Sequence, residues 1–157
     1  MAQANYFLKI DGIKGQSEAK SHKDEIELES WNWGASNAGE GGGGLGHVAM
    51  NDLSITTKDG KATPLLVLSC ATGKQIDSAL LTCRQATGKQ EDYLKIKLSN
   101  VFISSFQTGG GGGSDLYPTG QVTLNFKKIE FSQAPITDKG VGTFDTHWYD
   151  TATQDGK

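Results

Sequence analysis

Tyr93-Leu94-Lys95-Ile96-Lys97-Leu98, running into Val101-Phe102-Ile103-Ser104-Ser105-Phe106-Gln107, decides the fold class. Apolar and polar residues alternate with a period of two, as in a strand that covers one face. The same signal recurs in Tyr6 to Ile10, which ends at the turn Asp11-Gly12, in Ile76 to Arg84, in Val122 to Phe131 and in the extended stretch Thr143 to Tyr149. Thr87-Gly88 reads as a hairpin turn between two of these runs. Ile26 to Ala35 reads as a strand with a phase conflict, because Ile26 and Leu28 share one face while Trp31 and Trp33 fall on the other. Either both faces are partly covered or a bulge near Ser30 shifts the alternation. Val48 and Met50 switch to Leu53 and Ile55 in the same way, before the turn Lys58-Asp59-Gly60.

One short helix is predicted over about residues 63–73, with Thr63 as N-cap, Pro64 at the first helical position and Gly73 as the stop. Leu65, Leu66, Leu68 and Cys70 would give it about two apolar turns. Short antiparallel strands with a single helix imply an all-β barrel or sandwich. No composition shift marks a boundary, so residues 1–157 are expected to form one domain. Ala71-Thr72-Gly73-Lys74-Gln75 recurs as Ala86-Thr87-Gly88-Lys89-Gln90, which reads as two similar turns.

Composition narrows the function. Glycine is in excess, 21 of 157 residues, because of two tracts, Gly39 to Gly46 and the all-glycine Gly109 to Gly113. Outside them its frequency is ordinary, so they read as long loops in an otherwise normal globular chain. A net charge of −3 with scattered Lys and Arg argues against nucleic acid. The longest apolar run, Leu65 to Leu68, is far shorter than the ~18 residues of a membrane helix, so no membrane insertion is expected. The N-terminus carries neither a basic nor an apolar signal region, so export would proceed without a signal peptide. Cys70 and Cys83 read as two reduced, buried thiols of a protein folded in the cytosol.

No arrangement of residues supports catalysis. Gly39-Glu40-Gly41-Gly42-Gly43-Gly44 fits the dinucleotide pattern formally, but a strand follows where a helix is needed. Neither Gly-Lys pair completes a phosphate loop, since Gln75 and Gln90 stand where a hydroxyl is required. Glu27 and Glu29 share a strand face at a spacing that overlaps glycosidase carboxyl pairs, yet a charged outer face is the commoner meaning. His22, His47 and His147 are isolated, so neither an enzyme nor a cofactor or metal is expected. Gly44-Leu45-Gly46-His47 has the look of a PDZ carboxylate loop, although such a domain needs a second substantial helix. Trp31-Asn32-Trp33-Gly34 puts two indoles on one strand face, either as barrel core or as a subunit contact.

Several segments together resemble the Hcp family, the haemolysin-coregulated tube proteins of bacterial type VI secretion systems. They are Lys9 to Ser17, His22 with Ile26, Leu28 and Trp31 to Gly34, Thr63 to Lys74, Tyr93 to Ser105, and Gly109 to Ser114 with Val122 to Phe126. Asn32 stands where the family often has Ser, Gln16 replaces the usual Glu, and the tail 134–157 matches weakly. The resemblance implies a tight β-barrel with one flanking helix, a six-membered ring and rings stacked into a secreted tube. It implies as partners other copies of the chain, a VgrG-type spike protein, contractile sheath proteins and small effectors carried in the lumen. Such a protein would be made in the cytoplasm and exported to the medium or a target cell. Ser30 and Asn32, opposite the indoles, are the candidate lumen residues, and Trp31 and Trp33 the candidate subunit contacts. Gly39, Glu40, Gly41, Gly42, Gly43, Gly44, Leu45 and Gly46 are the candidate inter-ring loop. The alternative is a stand-alone β-sandwich or PDZ-like module that binds peptide or glycan through its loops.

Overall fold

Period-two alternation becomes, in a computed structural model, strands β1 (Ala4–Ile10), β2 (Ile26–Asn32), β3 (Ala35–Ala38), β4 (His47–Met50) and β5 (Leu53–Thr57). Helix α1 (Thr63–Thr72) follows, then β6 (Ile76–Gln85), β7 (Asp92–Gly109) and β8 (Thr119–Gln133). The chain ends in β9 (Ile136–Thr137), β10 (Gly140–Val141), β11 (Asp145–Asp150) and β12 (Asp155–Gly156). The structure describes residues 4–38, 47–86, 88–113 and 116–157. The glycine-rich stretch 39–46, with its candidate contact residues, lies outside the described residues.

Neighbouring strands run in the order β8-β5-β2-β1-β6-β7, and β7 pairs back onto β8, so six antiparallel strands close a barrel. Closure decides between the two expected architectures, because it leaves no second sheet to make a sandwich. The hairpin of β7 and β8 forms the longest pairing, from Leu94 opposite Gln133 to Gly109 opposite Thr119. The two runs Tyr93–Leu98 and Val101–Gln107 are one strand of 18 residues. Their separation in the sequence reflects a change of face at Asn100, whose φ is 55°. Leu98 and Val101 are both buried, and so are their partners Ile129 and Phe126, so both strands of the hairpin turn over together.

The barrel interior is filled by Leu8, Ile26, Leu53, Ile55, Leu81, Ile96, Leu98 and Leu124, each no more than 2% exposed. Helix α1 closes on it more thinly than the sequence suggests. Only Leu66 and Ser69 are buried, while Leu65, Val67 and Leu68 stand 44–57% exposed. The expected cap is also displaced. Thr63 is the first helical residue, and its hydroxyl donates to the Asp59 carbonyl at 2.6 Å. Buried Asp59 organises the helix start instead, its carboxylate accepting from the backbone N–H groups of Gln16, Lys61 and Ala62 at 2.8–3.0 Å. Gly73 ends the helix at φ 65°, and Gly88 in the repeated pentapeptide has a similar φ of 71°.

Candidate functional site

The phase conflict in β2 is resolved by a bulge. Leu28 lies opposite Thr57 and Ser30 opposite Thr56, so Glu29 is the extra residue. Trp31 then falls opposite Ile55, which is 2% exposed, and both face inward. Ser30 and Asn32 consequently point outward, where they join equivalent positions of three further strands.

Two cross-strand rows result. Asn32 lies opposite Ser54, Ser54 opposite Thr123, and Thr123 opposite Ser105. One step along, Ser30 lies opposite Thr56, Thr56 opposite Gln121, and Gln121 opposite Gln107. All eight side chains are hydroxyls or amides and none is charged. Behind them runs the apolar row Trp31, Ile55, Val122 and Phe106. A second bulge at Ser104 brings hydroxyls together, with Thr123 Oγ1 2.6 Å from Ser105 Oγ and 2.7 Å from Ser104 Oγ. Ser104 donates to Asp52, which also accepts from the Asn125 amide at 2.9 Å. Asn32, Thr56 and Gln107 share the wall of a shallow depression of about 350 Å³ on this face. The rows themselves offer many weak, uncharged hydrogen bonds, with the Asp52 carboxylate beside them at Ser104.

This four-strand sheet continues past the barrel. Strand β1 pairs with β2 only as far as Leu28, and β6 pairs with β7 only as far as Val101. Beyond those points the outer edges of β2 and β7 have no strand partner among the described residues. Free edges carry unpaired N–H and C=O groups and invite a further strand.

Trp31 and Trp33 are both half-buried against the barrel's own core. The Trp31 ring meets Tyr6 edge-on at 6.4 Å. Trp33 lies 6.2 Å from Phe131, and its Nε1 has no acceptor among the described residues. Burial pushes the Cys83 thiol up to about 12, against a smaller opposing effect of the Trp31 hydrogen bond, so it stays protonated. Burial also raises Tyr93. Among the described residues no group of three or more His, Cys, Asp or Glu side chains could hold a metal ion. None of the described helices is long and apolar enough to cross a membrane. The polar rows were only partly legible: Ser30 and Asn32 follow from alternation, but Ser54, Thr56, Ser105, Gln107, Gln121 and Thr123 join them only through strand register.

The family described as "Type VI secretion system effector, Hcp" matches residues 7–133. Protein hcp1 of Pseudomonas aeruginosa is 44% identical over 134 residues, covering 82% of each chain. The crystal structure of Hcp1 from Salmonella typhimurium superposes with a TM-score of 0.83 at 29% identity, covering both chains fully. A structure described as a type six secretion system protein superposes at 0.92 with 22% identity, covering 99% of this chain and 100% of its own. Barrel and sequence together define a type VI secretion protein, built for structure rather than catalysis. The chain belongs to the Hcp family, whose members are secreted, self-associating tube proteins and not enzymes.

Proposed function

We propose that this chain is a tube subunit, six copies of which close into a ring through the free edges of β2 and β7. The observation that carries this reading is the edge on each side of the four-strand sheet that has no strand partner among the described residues. The order β2-β5-β8-β7 is antiparallel throughout, so β2 and β7 run in opposite directions. The β7 edge of one copy therefore meets the β2 edge of the next in antiparallel sense, with the polar rows on one continuous face. A head-to-tail contact of this kind closes into a ring when its rotation is right. The number six comes from the family resemblance.

In the ring, Ser30 and Asn32 face the lumen and hold small effectors through uncharged hydrogen bonds. Trp31 and Trp33, just behind the β2 edge, fix the strand that docks on the neighbour. The segment 39–46 is assigned as the inter-ring contact; it joins β3 and β4, a hairpin with no other strand partner among the described residues. A lone two-stranded hairpin is marginal in water, which favours a docked state for it. Rings stack into a tube contacted by a VgrG-type spike and the contractile sheath. The protein is made in the cytoplasm and exported without a signal peptide. Pairing of β11 along Lys128 to Gln133 of β8 favours a single domain that includes the tail.

Size-exclusion chromatography and negative-stain microscopy test this directly: six-membered ring particles are expected, and monomers at micromolar concentration would count against it. Asn32→Gln is expected to keep the ring and lower recovery of co-purifying effectors. Unchanged recovery from an intact ring would remove Asn32 from the cargo surface.

A further inference from the structure

Glycine at positions 109–112 answers to no constraint inside the chain. A Cβ added at any of these residues would meet nothing within 4 Å among the described residues, and only Gly113 in the tract has a positive φ, 97°. Other residues would fit there, and glycine costs extra ordering entropy wherever the fold does not need it. What the missing side chains leave is space. Gly109, Gly110 and Gly111 line a depression of about 580 Å³ at the end of the β7–β8 hairpin, a size that holds a small ligand.

The rest of that wall has one chemistry. Gln107, Gln121, Thr108 and Thr119 supply amides and hydroxyls, and no charged side chain takes part. Tyr117 adds an aromatic ring and is 61% exposed. Gln107 and Gln121 lie opposite each other on β7 and β8, and both also line the shallower depression of the polar rows. The two depressions therefore form one groove across the outward face. Tyr117 stands at the end of it away from the Asp52 carboxylate that Ser104 and Asn125 engage.

Those groups select a ligand by exclusion and by match. Nucleic acids and other polyanions need cations, and none lines the groove. An extended peptide adds to a sheet through its edge and asks for side-chain pockets, whereas the groove lies on a face. A sugar hydroxyl donates and accepts at once, as do the side-chain amides and hydroxyls here. The apolar face of a pyranose ring covers an exposed aromatic ring, and bare glycine backbone lets it approach closely.

We propose that the groove from the glycine tract to the polar rows binds a neutral oligosaccharide, with one sugar ring stacked on Tyr117 and the next ones hydrogen-bonded by Gln107 and Gln121. All of these groups come from one chain, so the site goes beyond the tube subunit's role and does not depend on ring closure.

Saturation-transfer NMR of the full-length protein with cellohexaose, maltohexaose and N-acetylchitohexaose in turn tests this. At about 1 mM sugar, the range for a shallow uncharged site, transfer to the protons of at least one of these sugars is expected. Tyr117→Ala, which removes an exposed ring, should weaken that binding about ten-fold. Gly110→Leu puts a side chain where nothing stands within 4 Å and should abolish it. No transfer to any of the sugars would overturn the proposal. So would unchanged affinity in both variants, or equal transfer to a sulfated hexasaccharide or a neutral hexapeptide. Size-exclusion chromatography of the same samples separates the groove from the ring: rings that bind no sugar would remove only the groove, and monomers that bind it would remove only the ring.

Discussion

At the scale of single residues, the two cysteines separate by environment. Cys83 is 1% exposed on β6, and burial holds its thiol at about 12 against an ordinary 9.0. Cys70 is half-buried near the end of α1. Only a thiolate attacks a disulfide reagent, so the folded protein is expected to titrate one thiol, Cys70, at about pH 8, and both after denaturation. Rapid titration of two thiols in the native state would contradict the burial of Cys83. The sign of the linkage also follows. The native state keeps the Cys83 proton where the unfolded chain loses it, so stability should decline as pH rises from 9.0 toward about 12. The sequence carried the free state of these thiols but not their difference: it implies that both are buried, whereas tertiary packing buries Cys83 and leaves Cys70 half-buried. Gly15 is similar: a Cβ there would collide first with the Glu25 carbonyl and would also lie 2.6 Å from Asp59 Oδ2, neighbours that only the fold brings to it.

At the scale of elements, local pattern is a good guide where the inward-facing residues keep their alternation along the strand. The strands around Tyr6–Ile10 and Ile76–Arg84 emerged within a few residues of their observed ends. The bulge near Ser30 was visible because Ile26, Leu28, Trp31 and Trp33 cannot share a face without one. The change of face at Asn100 hid the unity of β7, because a residue at positive φ breaks the period without ending the pairing. Helix α1 was located by Pro64 and Gly73, yet its cap was assigned to the wrong side chain. Asp59 competes better, because its carboxylate satisfies several N–H groups of the turn at once. The apolar content of α1 overstated its contact with the barrel. Leu66→Ala is therefore expected to cost about 2–5 kcal/mol, the usual range for a buried leucine. Leu68→Ala, at 57% exposure, should stay within about 0.5 kcal/mol in the same urea titration. Equal losses at the two positions would mean that α1 packs by another face.

At the scale of the whole molecule, barrel closure depends on pairings between residues distant in sequence, such as Leu53 with Leu124 and Tyr6 with Cys83. No local pattern encodes them, which is why alternation alone left barrel and sandwich equal. The same registers bring Ser30 and Asn32 into line with Gln107 and Ser105, and leave the ends of the β2 and β7 edges without a strand partner among the described residues. If those edges join neighbouring copies, a cysteine at Asn32 on one copy must approach one position on the same face of the next copy's β7. Asn32→Cys combined in turn with Ser105→Cys and Gln107→Cys, in a Cys70→Ser background, scans both candidates. A disulfide needs Cα atoms about 4.4–6.8 Å apart, so only a variant in register should cross-link. Mild oxidation of that variant is expected to give a ladder on denaturing gels that ends at the closed ring. Within one chain, Asn32 and Ser105 occupy the outermost of four paired strands, about 14 Å apart at the usual strand spacing, so an internal disulfide cannot mimic the result. Intact rings with no cross-link from either pair would place the subunit contact elsewhere than these two edges.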